Sequence, residues 1–372
     1  MDKLNICLVS AVIAPDQEDG SAKFFRGIYD YLKKRGHRVK LITGKWNVKL
    51  KDPNIIQIDL LRKSFFWVPQ FSIKVFKFLK SRNFDIIHGN GPKGSFPLLF
   101  FNKNEFISTI HDLGPFETKF SRIPIEKFLI KQTSKKAKYI TTCSEFIRRE
   151  IKYFIPEINI NNIYNLYSAI EDKYKPYPKE AKLLKERLGI KGPVLLYIGR
   201  IAHYKGVNDI IAAYNIAKKD ISNLNLIMGG IPDFSMEKIY QEWKCKYKDI
   251  FFVGFISEKE IPFYYSMGDI FVNYSSASEG FGLTPLEAIA CGAPVICSSL
   301  LAFKEVLQDN AIFVPPKNPK LLAKEIVMLL KKDAMRENLV KRAQNFIKRY
   351  SWDEVGKKLE EVYFKFLSYE NF

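Results

Sequence analysis

SEGFGLTPLEAIACGAPVICS, residues 278–298, sets two carboxylates, Glu279 and Glu287, eight positions apart around a glycine-bracketed turn, Gly280-Phe281-Gly282. After the turn the spacing predicts a short apolar helix over 285–290, stopped at Cys291-Gly292. An apolar run over 294–297 then reads as a strand. Loop, helix N-terminus and parallel strand in this order suit an anionic ligand, because the N–H groups of a first helical turn have no intrahelical partners.

Outward from this segment, the second half of the chain alternates short apolar runs with helical stretches of about ten residues. Strands are expected at 193–198, 225–228, 250–253, 270–273 and 311–314, with helices at 207–217, 261–267 and 319–331. Glycines mark the strand ends at Gly199, Gly229-Gly230 and Gly254. The first half opens in the same way, with a strand at 5–12, a loop at 14–20, a helix ending at Gly36 and a strand at 39–43. Such alternation gives parallel sheets covered on both faces. The chain is therefore read as α/β, two doubly wound Rossmann-like domains with parallel sheets facing across a cleft. The first occupies 1–175, the second 176–350, and a helix at 351–372 packs back on the first. Residues 337–367 read as one long helical tract. The full Gly-x-Gly-x-x-Gly fingerprint is missing after the first strand, which disfavours a nicotinamide cofactor.

At 372 residues and 47% hydrophobic composition there is enough apolar material for two cores. The five cysteines show no paired spacing, so neither a disulfide scaffold nor a zinc site is expected, and a reducing compartment fits. No apolar run reaches the roughly 20 residues that span a bilayer. The N-terminus reads as a first strand rather than a signal peptide, so the expected location is the cytoplasm. The net charge of +19 predicts attraction to something anionic: phosphorylated substrate, lipid surface or nucleic acid. Residues 61–82 interleave six cations with six aromatics and no acid, as an interfacial element or a core-packed helix with solvated lysines would. The cations form no recognisable nucleic-acid module, and no nucleic-acid partner is expected. The preferred partner for the charge is the inner face of an anionic membrane.

Chemistry concentrates at strand ends. Arg200 and Lys205, each beside a glycine and just before a helix, can give charge-assisted hydrogen bonds to a diphosphate. Glu279 and Glu287 can accept from vicinal hydroxyls. Two of the four histidines, His88 and His111, are expected at the C-terminal ends of strands, where ligands bind in an open α/β sheet. Without an Asp-x-Asp pair or clustered carboxylates, no metal is called for.

The run from Glu279 through Glu287 to Val295 closely resembles the signature of the retaining nucleotide-sugar glycosyltransferases of family 4, which have the GT-B fold. The resemblance extends through Gly20, His111-Asp112, Gly199-Arg200, Lys205-Gly206 and Gly254-Phe255. It implies a hexosyltransferase without cofactor, using a UDP- or GDP-sugar and a glycan, lipid-linked or sugar acceptor in cell-surface glycan or glycolipid synthesis. By the resemblance, Arg200 and Lys205 would hold the donor diphosphate after Gly199, and Glu287 the ribose. Glu279 with the backbone of Gly280, Phe281, Gly282 and Leu283 would hold the transferred sugar, Phe255 and Ile256 would meet the base, and His111 would assist transfer. The loop at Gly20 would lie near phosphate and acceptor. Three departures stand out: Asp19-Gly20 for a Gly-Gly pair, Asn165-Leu166 for an Asn-Gly turn, and Gly229-Gly230-Ile231-Pro232-Asp233 for a glycine-acid-glycine turn. A phosphorylase or hydrolase of the same plan, or a non-catalytic anion- or nucleic-acid-binding protein, are the alternatives.

Overall fold

The computed structural model describes residues 3–17, 19–61, 66–101, 105–117, 124–277 and 279–368. The chain divides into two compact units, Met1–Ala169 with Tyr350–Phe372, and Ile170–Arg349.

The first unit is built on a seven-stranded parallel sheet. Its strands are β1 (Asn5–Ser10), β2 (Arg38–Lys45), β3 (Ile55–Asp59), β4 (Ile86–Asn90), β5 (Ile107–Ile110), β6 (Tyr139–Thr142) and β7 (Ile163–Asn165). They lie in the order β3-β2-β1-β4-β5-β6-β7. β1 and β4 are almost wholly buried, as strands sandwiched between helices must be, with Ser10, His88 and Asn90 as their buried polar residues. Because β2 and β3 build outward from one side of β1 while β4 and its successors build outward from the other, the loops after β1 and β4 diverge. The register ends with Ser10 opposite Asn90, which places those two residues at the mouth of the resulting crevice.

The helix Gly20–Lys34 buries Phe24, Phe25, Ile28, Tyr31 and Leu32 at helical spacing. Its N-terminus is capped by Asp19, whose carboxylate accepts from the Ala22 N–H at 2.9 Å. Ser144 likewise caps the helix Glu145–Phe154 through the Ile147 N–H. At the end of β7 the missing Asn-Gly turn is replaced by Tyr167, which takes φ +60 while its N–H donates to the Asn165 side chain at 3.0 Å.

The tract at 337–367 is not one helix. It forms two, Asp333–Phe346 and Trp352–Ser368, separated by the 3-10 turn Ile347–Tyr350. The second restarts at Ser351, whose hydroxyl accepts from the Glu354 N–H. It belongs to the first unit and lies against Gly20–Lys34 at near-backbone distance. A Cβ on Gly27 would sit 1.7 Å from the Trp352 ring, and one on Gly356 would sit 2.3 Å from the Tyr31 ring. Glu360 is buried beneath this contact, accepting from Tyr31 Oη at 2.8 Å, Arg35 Nε at 3.2 Å and His37 Nε2 at 2.9 Å. His37 Nδ1 accepts the Leu4 N–H, so the proton it shares with Glu360 is on Nε2.

His88 is not at a strand end. It lies in the middle of β4, fully buried, bonded through Nδ1 to Tyr363 Oη and through Nε2 to Thr109 Oγ1. Burial, with a smaller push from His111, drives its pKa down to about 3. It ties the last helix to the sheet.

The second unit holds β8 (Val194–Ile198), β9 (Asn225–Gly229), β10 (Ile250–Gly254), β11 (Ile270–Asn273), β12 (Val295–Ser298) and β13 (Ile312–Val314), in the order β10-β9-β8-β11-β12-β13 and all parallel. The reversal of order falls between β8 and β11.

Burial raises the Glu360 carboxyl pKa, but the bonds from His37, Tyr31 and Arg35 outweigh it and hold the group below its ordinary value. A depressed folded pKa means this stabilisation is present above the unfolded pKa and is lost as pH falls through the folded one. Glu360→Ala should therefore cost about 2–4 kcal/mol in urea unfolding at neutral pH, with the gap to the parent chain closing below about pH 4. A loss under about 0.5 kcal/mol would contradict the described network.

Candidate functional site

In the second unit the site residues come from loops that leave the sheet on either side of its order reversal. β8 delivers Gly199, Arg200 and the 3-10 turn His203–Lys205. β11 delivers Ser275 and the turn at Glu279–Gly282. These loops are sewn together by the Ser276 N–H, which donates to the Tyr204 carbonyl at 2.6 Å. At their junction Lys205 Nζ lies 2.5 Å from Glu279 Oε1, both side chains about 15% exposed. Ser275 Oγ donates to the same oxygen at 2.5 Å. Asn273 and Thr284 are joined at 3.1 Å, linking the end of β11 to the following helix. A lysine and a glutamate 74 positions apart thus meet in a half-shielded place where their charges are worth more than on an open surface.

Two helices start here, Val207–Ala217 and Leu283–Ala290, the latter beginning two residues before the expected position. Their N-caps are Gly206 and Gly282, neither of which offers a side chain to the first-turn donors. Both glycines are required. Gly206 has φ +65 and its added Cβ would lie 2.1 Å from the Tyr274 carbonyl; Gly282 has φ +91 and its Cβ would lie 2.6 Å from Phe303. The outcome, among the described residues, is two helix N-termini without a side-chain cap, and the loop after β8 carries the exposed Arg200.

Glu287 lies one turn into Leu283–Ala290 and is only 6% exposed. Tyr265 Oη donates to its Oε2 at 3.0 Å, which fixes the carboxylate's orientation. The tyrosine's own pKa is raised well above its usual value by burial and by the Glu287 charge. At the end of β10, Phe255 is exposed and Ile256 buried, with Ile256 packed where a Cβ on Gly229 would be 2.4 Å away. Phe281 is buried while Gly280 and Gly282 are partly exposed. The arrangement can bind an anion through cations and backbone N–H groups and accept from hydroxyls through carboxylates.

In the first unit His111 follows β5 and lines a cavity of about 480 Å³ together with Asp19, Ser21 and Asn90. Its Nε2 is 2.7 Å from Asn90 Oδ1. The amide of Asn90 has one possible orientation, because its Nδ2 donates to Ser10 Oγ and to the Ser21 carbonyl, while Ser10 Oγ donates to the Val12 carbonyl. Asn90 Oδ1 therefore accepts from His111 Nε2–H, leaving Nδ1 as the acceptor nitrogen. Burial pushes the His111 pKa down to about 4, against a smaller upward pull from Asp19. Gly20 begins the helix capped by Asp19, on the rim of the same cavity.

Tyr265, Ser275, Asn90 and Ser10 escaped the sequence reading. Common polar residues inside apolar runs carry no signal, and only the strand register makes them neighbours. Gly230 did carry one, since paired glycines after a strand announce a close approach: its Cβ would lie 1.8 Å from the Gly199 carbonyl.

The family glycosyl transferases group 1 matches residues 180–346, and glycosyltransferase family 4 matches residues 19–167. The O-antigen chain mannosyltransferase B of Escherichia coli is 28% identical over 257 residues, covering 66% of this chain and 67% of that one. Among solved structures, sucrose-phosphate synthase from Thermosynechococcus elongatus superposes with a TM-score of 0.83 at 21% identity, covering 98% of this chain and 99% of that one. Anabaena HepE in complex with UDP and glucose gives 0.78 at 16% identity, covering 96% and 98%. These likenesses establish the two-sheet GT-B architecture.

Gly230→Ala should weaken nucleoside-diphosphate binding at least roughly tenfold, because the methyl group collides with the backbone that carries Arg200. Gly189→Ala, at φ +68 with nothing within 4 Å, controls for backbone strain alone. Equal losses in both variants, measured by calorimetry, would refute the steric account. The His111 imidazole should hold its neutral chemical shift by NMR from about pH 8 down to about pH 5; a midpoint near 6.5 would contradict the buried, Asn90-bonded geometry.

Proposed function

We propose that this chain, which belongs to the GT-B glycosyltransferases that use nucleotide-sugar donors, works as a retaining hexosyltransferase with its donor on the second unit and its acceptor on the first. It transfers a sugar from a nucleotide-diphosphate donor to an acceptor in glycan or glycolipid synthesis. The observation that carries the finer reading is the Lys205–Glu279 pair beside two helix N-termini that lack side-chain caps.

In this reading Arg200, Lys205 and the open helical N–H groups receive the diphosphate, whose negative charge grows as the glycosidic C–O bond breaks. Charge stabilisation that increases toward the transition state is what accelerates a reaction. Glu279 and the turn Gly280-Phe281-Gly282-Leu283 hold the transferred sugar's hydroxyls, and Glu287, oriented by Tyr265, holds the ribose. Gly199 lets the backbone approach, and Phe255 with Ile256 borders the base. The acceptor hydroxyl attacks the anomeric carbon on the face from which the diphosphate departs, and its proton passes to the leaving phosphate oxygen, giving retention. His111, neutral, takes part as a hydrogen-bonding group, and the Gly20 loop borders the acceptor. The donor is a UDP- or GDP-hexose, in keeping with the mannosyltransferase named among the relatives and with the UDP complex of similar fold.

The chain is further proposed to work in the cytoplasm against the inner face of a membrane. Among the described residues no helix is long and apolar enough to cross one. The turn Phe96–Phe100 packs against both the helix Trp67–Lys80 and the helix Pro124–Lys136, a region that exposes Phe66, Ile73, Phe100, Ile125 and Phe128, with Lys77, Lys80, Lys127 and Lys131 on the same two helices. Apolar side chains among lysines match the boundary of an anionic bilayer.

Arg200→Ala and Lys205→Ala should each reduce turnover roughly ten- to a thousand-fold with a nucleotide hexose, and NMR of the product should give the donor's anomeric configuration. Full turnover in both variants, or an inverted product, would overturn the assignment. Sedimentation with anionic vesicles should show binding that falls as salt rises past about 0.15 M; equal binding to neutral vesicles would remove the lipid reading.

A further inference from the structure

The cavity of the first unit combines two features that bear on what enters it. One is a corner of indole: Trp46 and Trp67 both line it, their rings 5.3 Å apart and nearly perpendicular at 81°. The corner is held firmly. Trp46 Nε1–H donates to the Ala11 carbonyl at 2.8 Å. Its backbone N–H, with those of Asn47 and Val48, donates to the buried carboxylate of Asp16 at 2.6, 2.5 and 2.6 Å. Rigid, half-exposed aromatic walls offer apolar area at little entropic cost.

The other feature is charge of the sign opposite to that of the whole chain. Among the described lining residues, Asp19, Asp112 and Glu126 are acidic, and the one cation, Lys93, is 3.0 Å from Glu126. Asp19 also occupies the spot most favourable to an anion. Its carboxylate sits on the N-terminus of Gly20–Lys34, accepting from the Ala22 N–H and from Ser21 Oγ. The Asp19-Gly20 departure from a Gly-Gly pair thus fills with a fixed carboxylate the helix end that a phosphate would otherwise take. Carboxylates only accept hydrogen bonds, so they suit hydroxyls and repel phosphate.

We infer that the acceptor group taken by this cavity is an uncharged saccharide ring, its C–H face against the Trp46–Trp67 corner and its hydroxyls donating to Asp112 and Asp19, and that phosphorylated sugars are rejected. This rests on the reading of the first unit as the acceptor side and narrows that reading to neutral glycans, free or at the end of a lipid-linked chain. The chain's net positive charge then belongs to donor and surface, not to acceptor recognition.

The test uses the full chain labelled with 5-fluorotryptophan, whose four resonances are assigned by single substitution. Methyl α-glucopyranoside and methyl α-mannopyranoside are titrated beside their 6-phosphates. The neutral glycosides should shift Trp46 and Trp67 but leave Trp243 and Trp352 still, and the phosphates should bind at least tenfold more weakly. Trp67→Ala should lower neutral-glycoside affinity at least fivefold with Trp67→Phe restoring most of it, while calorimetric binding of nucleoside diphosphate stays at the parent value. Glu126→Gln, which releases Lys93, should narrow the gap between neutral and phosphorylated sugars. If the phosphates shift Trp46 and Trp67 as well as or better than the neutral glycosides do, the proposal falls while the acceptor side stands. If no sugar shifts either ring while nucleoside diphosphate still binds, the acceptor assignment falls and the proposal with it.

Discussion

Each of the two parallel sheets reverses the direction in which its strands are added once, and the chemistry of this protein gathers at those reversals. Where the order reverses, consecutive loops part and leave a crevice that no side chain of the sheet fills. In the second unit this happens between β8 and β11, and it brings Lys205 to within 2.5 Å of Glu279. In the first it happens between β1 and β4, and it pairs Ser10 with Asn90 beneath His111. The two sites differ in chemistry because different side chains were placed on one geometric opportunity.

Glycine sets how closely the backbone can approach within these crevices. Gly206, Gly230 and Gly282 each combine positive φ with a neighbour that a methyl group would strike. Without side chains, Gly206 and Gly282 leave two helix N-termini with no side-chain cap, and Gly230 lets the turn after β9 close on the Gly199 carbonyl. Asp19 is the counter-example: at the corresponding helix start of the first unit a carboxylate supplies the cap, in a chain whose net charge is +19. Net charge describes what a protein drifts toward, whereas a few fixed groups decide what it admits.

The histidines illustrate how position overrides residue type. His88 and His111 follow similar apolar runs, yet β4 runs two residues past His88 and keeps it inside the sheet, where it bonds Tyr363 and Thr109. His111 clears the end of β5 and reaches the cavity. His37 instead serves Glu360 and the last helix. All of these arrangements leave the imidazoles with defined partners, and the last helix acquires two polar anchors, at Glu360 and at Tyr363, in addition to its apolar face.

Two parallel sheets, the strand-end glycines, Arg200 and Lys205, and the Glu279–Glu287 segment were legible in the sequence because each is a local pattern: apolar runs at strand length, glycines where φ turns positive, and cations beside helix starts. The boundaries of helices were less so. The break at Ile347–Tyr350 was hidden in a continuous helical pattern because only Ser351 marks the restart. What the sequence by itself determined was therefore most of the elements and which residue types stand at their ends, though nothing in it marked β3 or the helices Glu237–Lys246 and Leu301–Leu307. The tertiary structure alone decided which of those ends meet. Lys205 with Glu279, Asn90 with His111 and Trp46 with Trp67 are separated by 74, 21 and 21 positions, and sheet order and register, which are non-local, make them neighbours.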